Sequence, residues 1–192
     1  MKKSVPLLLL LLATAFLMAG CCKPNDSLGS QPVTLRPQET NNWCWAATTQ
    51  MITEFLGHGK NQCDLANLRF GRTDCCTGTC PKNPACNMPG WTMFTESGFT
   101  TTVSATPLSW DTIKDQIYCV KKPMSYAYGP KSGGVGHVVV ISGYAQIAGI
   151  SYVFITDPWS PCAGAGRFIT YDEYSNSGST NHWETNYNIT FK

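Results

Sequence analysis

Four of the ten cysteines in this chain fall within twelve residues, Cys75-Cys76-Thr77-Gly78-Thr79-Cys80-Pro81-Lys82-Asn83-Pro84-Ala85-Cys86. Prolines that remove backbone donors and a glycine that loosens the chain leave this stretch unfit for helix or strand. It reads as a long loop held by cross-links, with Cys63 as a fifth member and Cys119 and Cys162 as distant ones. Disulfides are the preferred reading, each stabilising by roughly 2–4 kcal/mol through restriction of the unfolded chain. The competing reading is zinc, which favours paired C-x₂₋₄-C knuckles. Cys76-x₃-Cys80 is a single knuckle without a clear second, so no metal and no other cofactor is expected. The connectivity stays open.

The N-terminus reads as a targeting segment. Lys2 and Lys3 precede the apolar runs 7–12 and 13–18, and Leu17-Met18-Ala19-Gly20-Cys21 resembles a bacterial lipobox. Residues 1–20 are expected to be a lipoprotein signal peptide, with Cys21 the lipidated residue of the mature chain. The alternative is an ordinary signal peptide with Cys21 incidental. Residues 21–33, polar and rich in Pro, Gly and Ser, read as a tether, and 34–192 as one domain. This places the protein at the bacterial cell envelope, anchored by acyl chains, since no other stretch is apolar enough to span a bilayer. Removing Lys2 and Lys3 from 14 basic residues leaves 12 against 12 acidic ones. A neutral chain without a basic run excludes nucleic acid as an expected partner, and a monomer is expected. With Cys21 lipidated, Cys22 in the tether and Cys44 reserved below, seven cysteines remain, so one more free thiol is expected.

Chemistry concentrates at Gln38-Glu39-Thr40-Asn41-Asn42-Trp43-Cys44-Trp45-Ala46-Ala47. Apolar Ala47, Met51, Ile52, Phe55 and Leu56 recur at helical spacing, Asn41 and Asn42 offer N-cap chemistry, and Gly57 and Gly59 mark the stop. Cys44 therefore stands at the first turn, where free N–H groups and the helix dipole favour a thiolate. Gln38 can turn its amide toward the same place and hold an oxyanion. Of three histidines, His58 and His182 read as surface residues. His137 differs: it leaves the glycine-rich run 133–136 and opens a buried strand, Val138 to Tyr144. A second apolar strand, 152–156, ends at Asp157-Pro158-Trp159. If the two pair as a hairpin, His137 and Asp157 share one edge.

Gln38, Cys44-Trp45-Ala46, His137-Val138-Val139 with Gly143-Tyr144, and Asp157-Pro158-Trp159 resemble the papain-like cysteine peptidases, in particular their compact bacterial branch. The match spans Leu35 to Thr170. The resemblance implies oxyanion help from Gln38, a nucleophile at Cys44, a base at His137 and an orienting acid at Asp157, where papain itself has Asn. It also implies that Trp45, Gly90 and Gly136 line a substrate cleft, with Met88 beside Gly90. Trp159 is a candidate to shield the His–Asp pair from water.

The remaining pattern predicts a short helix over 61–71, helical structure over 91–97, a strand over 99–104 and a Ser109-capped helix over 110–120. Strands follow over 124–128, 167–171 and 183–191. Helices first and strands after predict an α+β fold, a helical half packed on an antiparallel sheet with the active cleft between them. The function expected is peptide-bond hydrolysis of a protein or peptide substrate. An amidase or acyltransferase using the same three groups is the alternative, and a non-catalytic envelope binding module is the third. A Cys44 locked in a disulfide, for instance to Cys86, would mark that third case.

Overall fold

A computed structural model describes residues 22–175 and 178–192. The signal peptide and the lipidation site read at Cys21 lie outside the described residues. The strands are β1 (Leu28–Ser30), β2 (Phe99–Ser104), β3 (Met124–Pro130), β4 (His137–Ile147), β5 (Ile150–Asp157), β6 (Ala165–Thr170) and β7 (Thr180–Phe191). They form one antiparallel sheet in the order β2-β7-β3-β4-β5-β6, with β1 added against β4. Among the described residues four α-helices accompany it: α1 (Cys44–Phe55), α2 (Gln62–Phe70), α3 (Trp110–Tyr118) and the short α4 (Tyr171–Tyr174). The α+β class is as expected.

The sheet is covered on both faces, because its central strands are apolar at successive positions rather than at alternate ones. On one face Leu108, Ile113 and Ile117 around α3, with Tyr174 of α4, pack against Met124, Tyr126, Val139, Ile141, Val153 and Ile155. On the other, Met51 and Ile52 of α1 meet Val140, Ile189, Phe94 and Phe99. The helical half expected from the sequence is therefore α1 and α2 alone. The other two helices lie on the opposite face, which chain order could not reveal.

The β4–β5 hairpin forms as anticipated. Its turn is Ala148-Gly149, both at positive φ (51° and 80°), as a tight two-residue hairpin loop demands. The register Val140↔Thr156 carries the first residue of β4 and the last residue of β5 to the same end. That is the end where α1 begins: Thr48, one turn beyond Cys44, donates from Oγ1 to the carbonyl of Val138 (3.1 Å).

Several local expectations differ. The segment 91–97 forms turns rather than a helix, closing at Gly98 with φ 90°. α1 starts from Trp43 without a side-chain cap. Asn42 instead faces Asn87, donating from its backbone N to Asn87 Oδ1 (2.9 Å) and from Nδ2 to the Asn87 carbonyl (3.1 Å). His182 is buried rather than superficial, its ring stacked on Tyr126 and its Nε2 2.9 Å from Thr185 Oγ1. Burial holds its pKa below the ordinary value.

The segment read as a tether is built into the domain. β1 pairs Leu28, Gly29 and Ser30 with Ala145, Tyr144 and Gly143, and Cys22 is bonded to Cys119. The other disulfides are Cys63–Cys76, Cys75–Cys86 and Cys80–Cys162. The Cys-rich loop is thus stapled once internally, once to α2 and once to the segment after β5. Counting Cys22 as unpaired produced the expectation of a spare thiol; among the described residues Cys44 alone is free. Four disulfides are compatible with a non-cytoplasmic protein. Among the described residues no helix is long and apolar enough to cross a membrane.

Candidate active site

Cys44 occupies the first position of α1 and lines the same cleft as His137, close enough for its Sγ to act on the titration of the ring. The uncapped first turn leaves its first backbone N–H groups without intrahelical partners, so the positive end of the helix dipole lies at Cys44. The other side of His137 is engaged by Asp157, with Nε2 2.6 Å from Oδ1, so Nδ1 is the ring atom left for Cys44. The three groups come from α1, β4 and β5, and the register of the sheet decides that they meet.

Electrostatics follow from this chain of contacts. Burial alone would push the His137 pKa down, but the hydrogen bonds and charges of Asp157 and Cys44 outweigh it and raise the value to about 9. Burial works against an ionised Asp157 as well. The bonds from His137, the Trp159 backbone N (3.0 Å) and Arg167 Nε (3.2 Å) prevail and hold its carboxyl below the ordinary 3.8. At neutral pH the pair is imidazolium and carboxylate.

Arg167 was not singled out in the sequence. From β6 it donates to Asp157 and, through Nη2, to the Tyr128 hydroxyl (3.0 Å), while the Tyr128 ring stands edge-on to His137 at 5.8 Å. Only the register pairing Ile155 with Arg167 brings it here. Its sequence signal was a charged residue in an otherwise uncharged strand.

A cleft of about 860 Å³ opens in front of Cys44 and His137. One wall carries Asn41, Asn42, Arg69, Pro89, Gly90 and Trp91. The other carries Gly134, Val135, Gly136, Val138, Trp159 and Trp183. Gly90 and Gly136, the two glycines that the resemblance singled out, are both among the lining residues. Gly136 needs to be bare, since a Cβ there would come within 1.9 Å of the Trp183 ring. Trp159 is half exposed and stands edge-on to His137 at 6.5 Å, covering one side of the imidazole.

Trp45 is a correction. It has no exposed surface and donates from Nε1 to the Met88 carbonyl (3.2 Å). As the residue after Cys44 it turns inward to the cluster of Trp43, Leu65, Cys75 and Cys86. It supports the cleft wall from behind and does not line the cleft.

Gln38 is also buried, and its amide faces its own loop, Nε2 donating to the carbonyls of Thr40 (2.8 Å) and Asn41 (2.7 Å). Its backbone joins the two halves: its N donates to the Pro158 carbonyl and its carbonyl accepts from Cys162 N, both at 3.0 Å. The Cys80–Cys162 disulfide closes the same junction. Gln38 therefore fixes the Cys44 loop against the segment that follows Asp157. The residues that line the cleft at this point are Asn41 and Asn42.

A free cysteine at a helix start and a histidine bonded to a nearly buried carboxylate border one cleft between a helical and a sheet half, an arrangement that resembles papain-like thiol enzymes. The Peptidase_C39 like family model matches residues 30–190. The chain belongs to that family, which supports the resemblance to papain-like cysteine peptidases. No curated protein matches the chain.

Proposed function

We propose that this protein is a cysteine peptidase whose reaction is carried by Cys44, His137 and Asp157. The observation that carries the reading is a free Cys44 that shares the cleft with His137, whose ring is bonded on its far side to the nearly buried Asp157. With its pKa raised to about 9, His137 stays protonated at neutral pH, and the reacting form of Cys44 beside it is the thiolate. The thiolate attacks the scissile carbonyl carbon, and the resulting oxyanion is held by the Cys44 backbone N–H. Gln38 joins by exchanging its bond to the Asn41 carbonyl for one to the oxyanion. His137 then gives its proton to the leaving amine, and water, deprotonated by His137, releases the acid from the thioester. Asp157 keeps the ring oriented and its charge balanced.

The free state of Cys44 favours catalysis over a dead binding cleft, because the partner named for such a case, Cys86, is bonded to Cys75. We propose further that the mature protein is lipidated at Cys21 and held at the cell envelope. The test is peptide hydrolysis by the wild type and Cys44→Ala, with products identified by mass spectrometry. New carboxyl and amino termini that vanish in Cys44→Ala are expected. Cleavage that persists in a folded Cys44→Ala protein would refute the assignment, and new amide bonds to an added amine would point to acyl transfer instead.

A further inference from the structure

Among the described residues, Arg69, in the last turn of α2, is the one permanently charged side chain lining the cleft, and no carboxylate lines it. Asp157 is behind His137, nearly buried and already bonded to three donors. The cleft is thus cationic in a chain whose mature charge is balanced, so the asymmetry is local to the site.

The guanidinium is also pre-positioned. Its Cζ lies 5.1 Å from the centroid of the buried Trp45 ring, and Nη1 reaches the carbonyl of Trp91 at 3.4 Å. A Cβ on Gly90 would stand 2.7 Å from Nε and 3.0 Å from the Trp45 ring, so the bare backbone of Gly90 leaves the space the guanidinium fills. Among the described residues Arg69 has no carboxylate partner. An arginine stacked on an aromatic ring, with its planar fork facing a cleft and unneutralised, is arranged to take a carboxylate. Its stacking partner directly follows Cys44 in the chain, which ties the subsite to the reacting centre.

We infer that Arg69, Gly90 and Trp91 form a carboxylate-binding subsite that selects peptides carrying an acidic group close to the scissile bond. The inference rests on the peptidase reading above and adds the substrate class to it. Arg69 is a specificity residue that touches substrate and takes no part in the proton transfers.

The test is a terminally blocked peptide library in which each of the three residues on either side of the cleaved bond is varied through Glu, Gln, Ala and Lys. A second arm uses peptides ending near that bond in a free carboxylate or its amide, which separates an acidic side chain from a chain terminus as the source. Wild-type protein is expected to cleave the carboxylate form about tenfold faster than its amide at one position, the scale of a charge-assisted hydrogen bond. The preference is expected to fall with ionic strength. Arg69→Gln is expected to equalise the two, Arg69→Lys to keep part of the preference, and Arg69→Glu to favour Lys at that position. Cleavage that Cys44→Ala abolishes, but that shows no preference for carboxylate, would overturn the subsite and leave the peptidase reading standing. A preference unchanged in Arg69→Glu would overturn it as well. No cleavage of any peptide, with an unreactive Cys44, would overturn both.

Discussion

Replacing Asp157 by Asn keeps the shape of the side chain that holds His137 but removes its charge. In the wild type the imidazole titrates at about 9 against an ordinary 6.5. That gap corresponds to about 3 kcal/mol in favour of the protonated ring. It exists although burial, the largest single influence, pushes the other way, and the Asp157 bond is the first of the forces opposing burial. Without the carboxylate, Cys44 alone is left to oppose burial, and the His137 value is expected to return to about 6.5. At pH 7.5 the protonated fraction then falls from about 97 % to about 10 %. The sign for stability follows. A folded-state pKa above the unfolded one stabilises fully below about 6.5, and this contribution disappears as the pH rises through about 9. The Asn variant lacks it throughout. The assay is NMR titration of the His137 ring carbon-bound proton in both proteins, with urea unfolding at pH 6 and pH 9.5. An Asp157→Asn protein whose His137 still titrates near 9 would refute the reasoning.

Three further outcomes are expected. Arg167→Gln removes one of the three donors to Asp157, so the carboxyl rises toward its ordinary value; the acid limb of activity moves up, and stability is lost at higher pH on the acid side, with a cost of about 1–2 kcal/mol at neutral pH by urea unfolding. The double variant Cys22→Ser/Cys119→Ser opens a link with a sequence separation of 97 residues and is expected to lose about 2–5 kcal/mol by denaturant midpoint. An unchanged midpoint would show that residues 22–33 do act as a tether. Trp45→Ala empties a fully buried site and is expected to cost about 3–5 kcal/mol, whereas a residue that only touched substrate would leave the midpoint where it was.

The parts of the site legible in the sequence were those with local signatures. Cys44 announced itself by the helix pattern that starts with it, and His137 and Asp157 by ending two apolar strands that form one hairpin. Where roles depended on distant pairing, local pattern had no information. Arg167 reaches Asp157 only through the β5–β6 register, and Cys22 finds Cys119 only because β1 lies against β4. Trp45 misled through adjacency: successive helical residues point about 100° apart, so the neighbour of a cleft-facing cysteine faces the core. For Gln38 the sequence offered only its place six residues before Cys44. The direction of its amide depends on the backbone of its own loop, where two carbonyls accept both of its N–H groups. The polar stretch 21–33 read as tether because a three-residue edge strand carries almost no periodic signal.

The central claim is that Cys44 reacts because His137 and Asp157 make it do so. Its most direct test is to treat the purified protein with an epoxysuccinyl probe near pH 6 and map the modified residue by mass spectrometry. His137→Ala and Asp157→Ala proteins are run beside it. Modification is expected at Cys44 in the wild type, none in His137→Ala and a slowed reaction in Asp157→Ala. A folded wild type in which Cys44 stays unmodified, or a His137→Ala protein labelled at the wild-type rate, would contradict it.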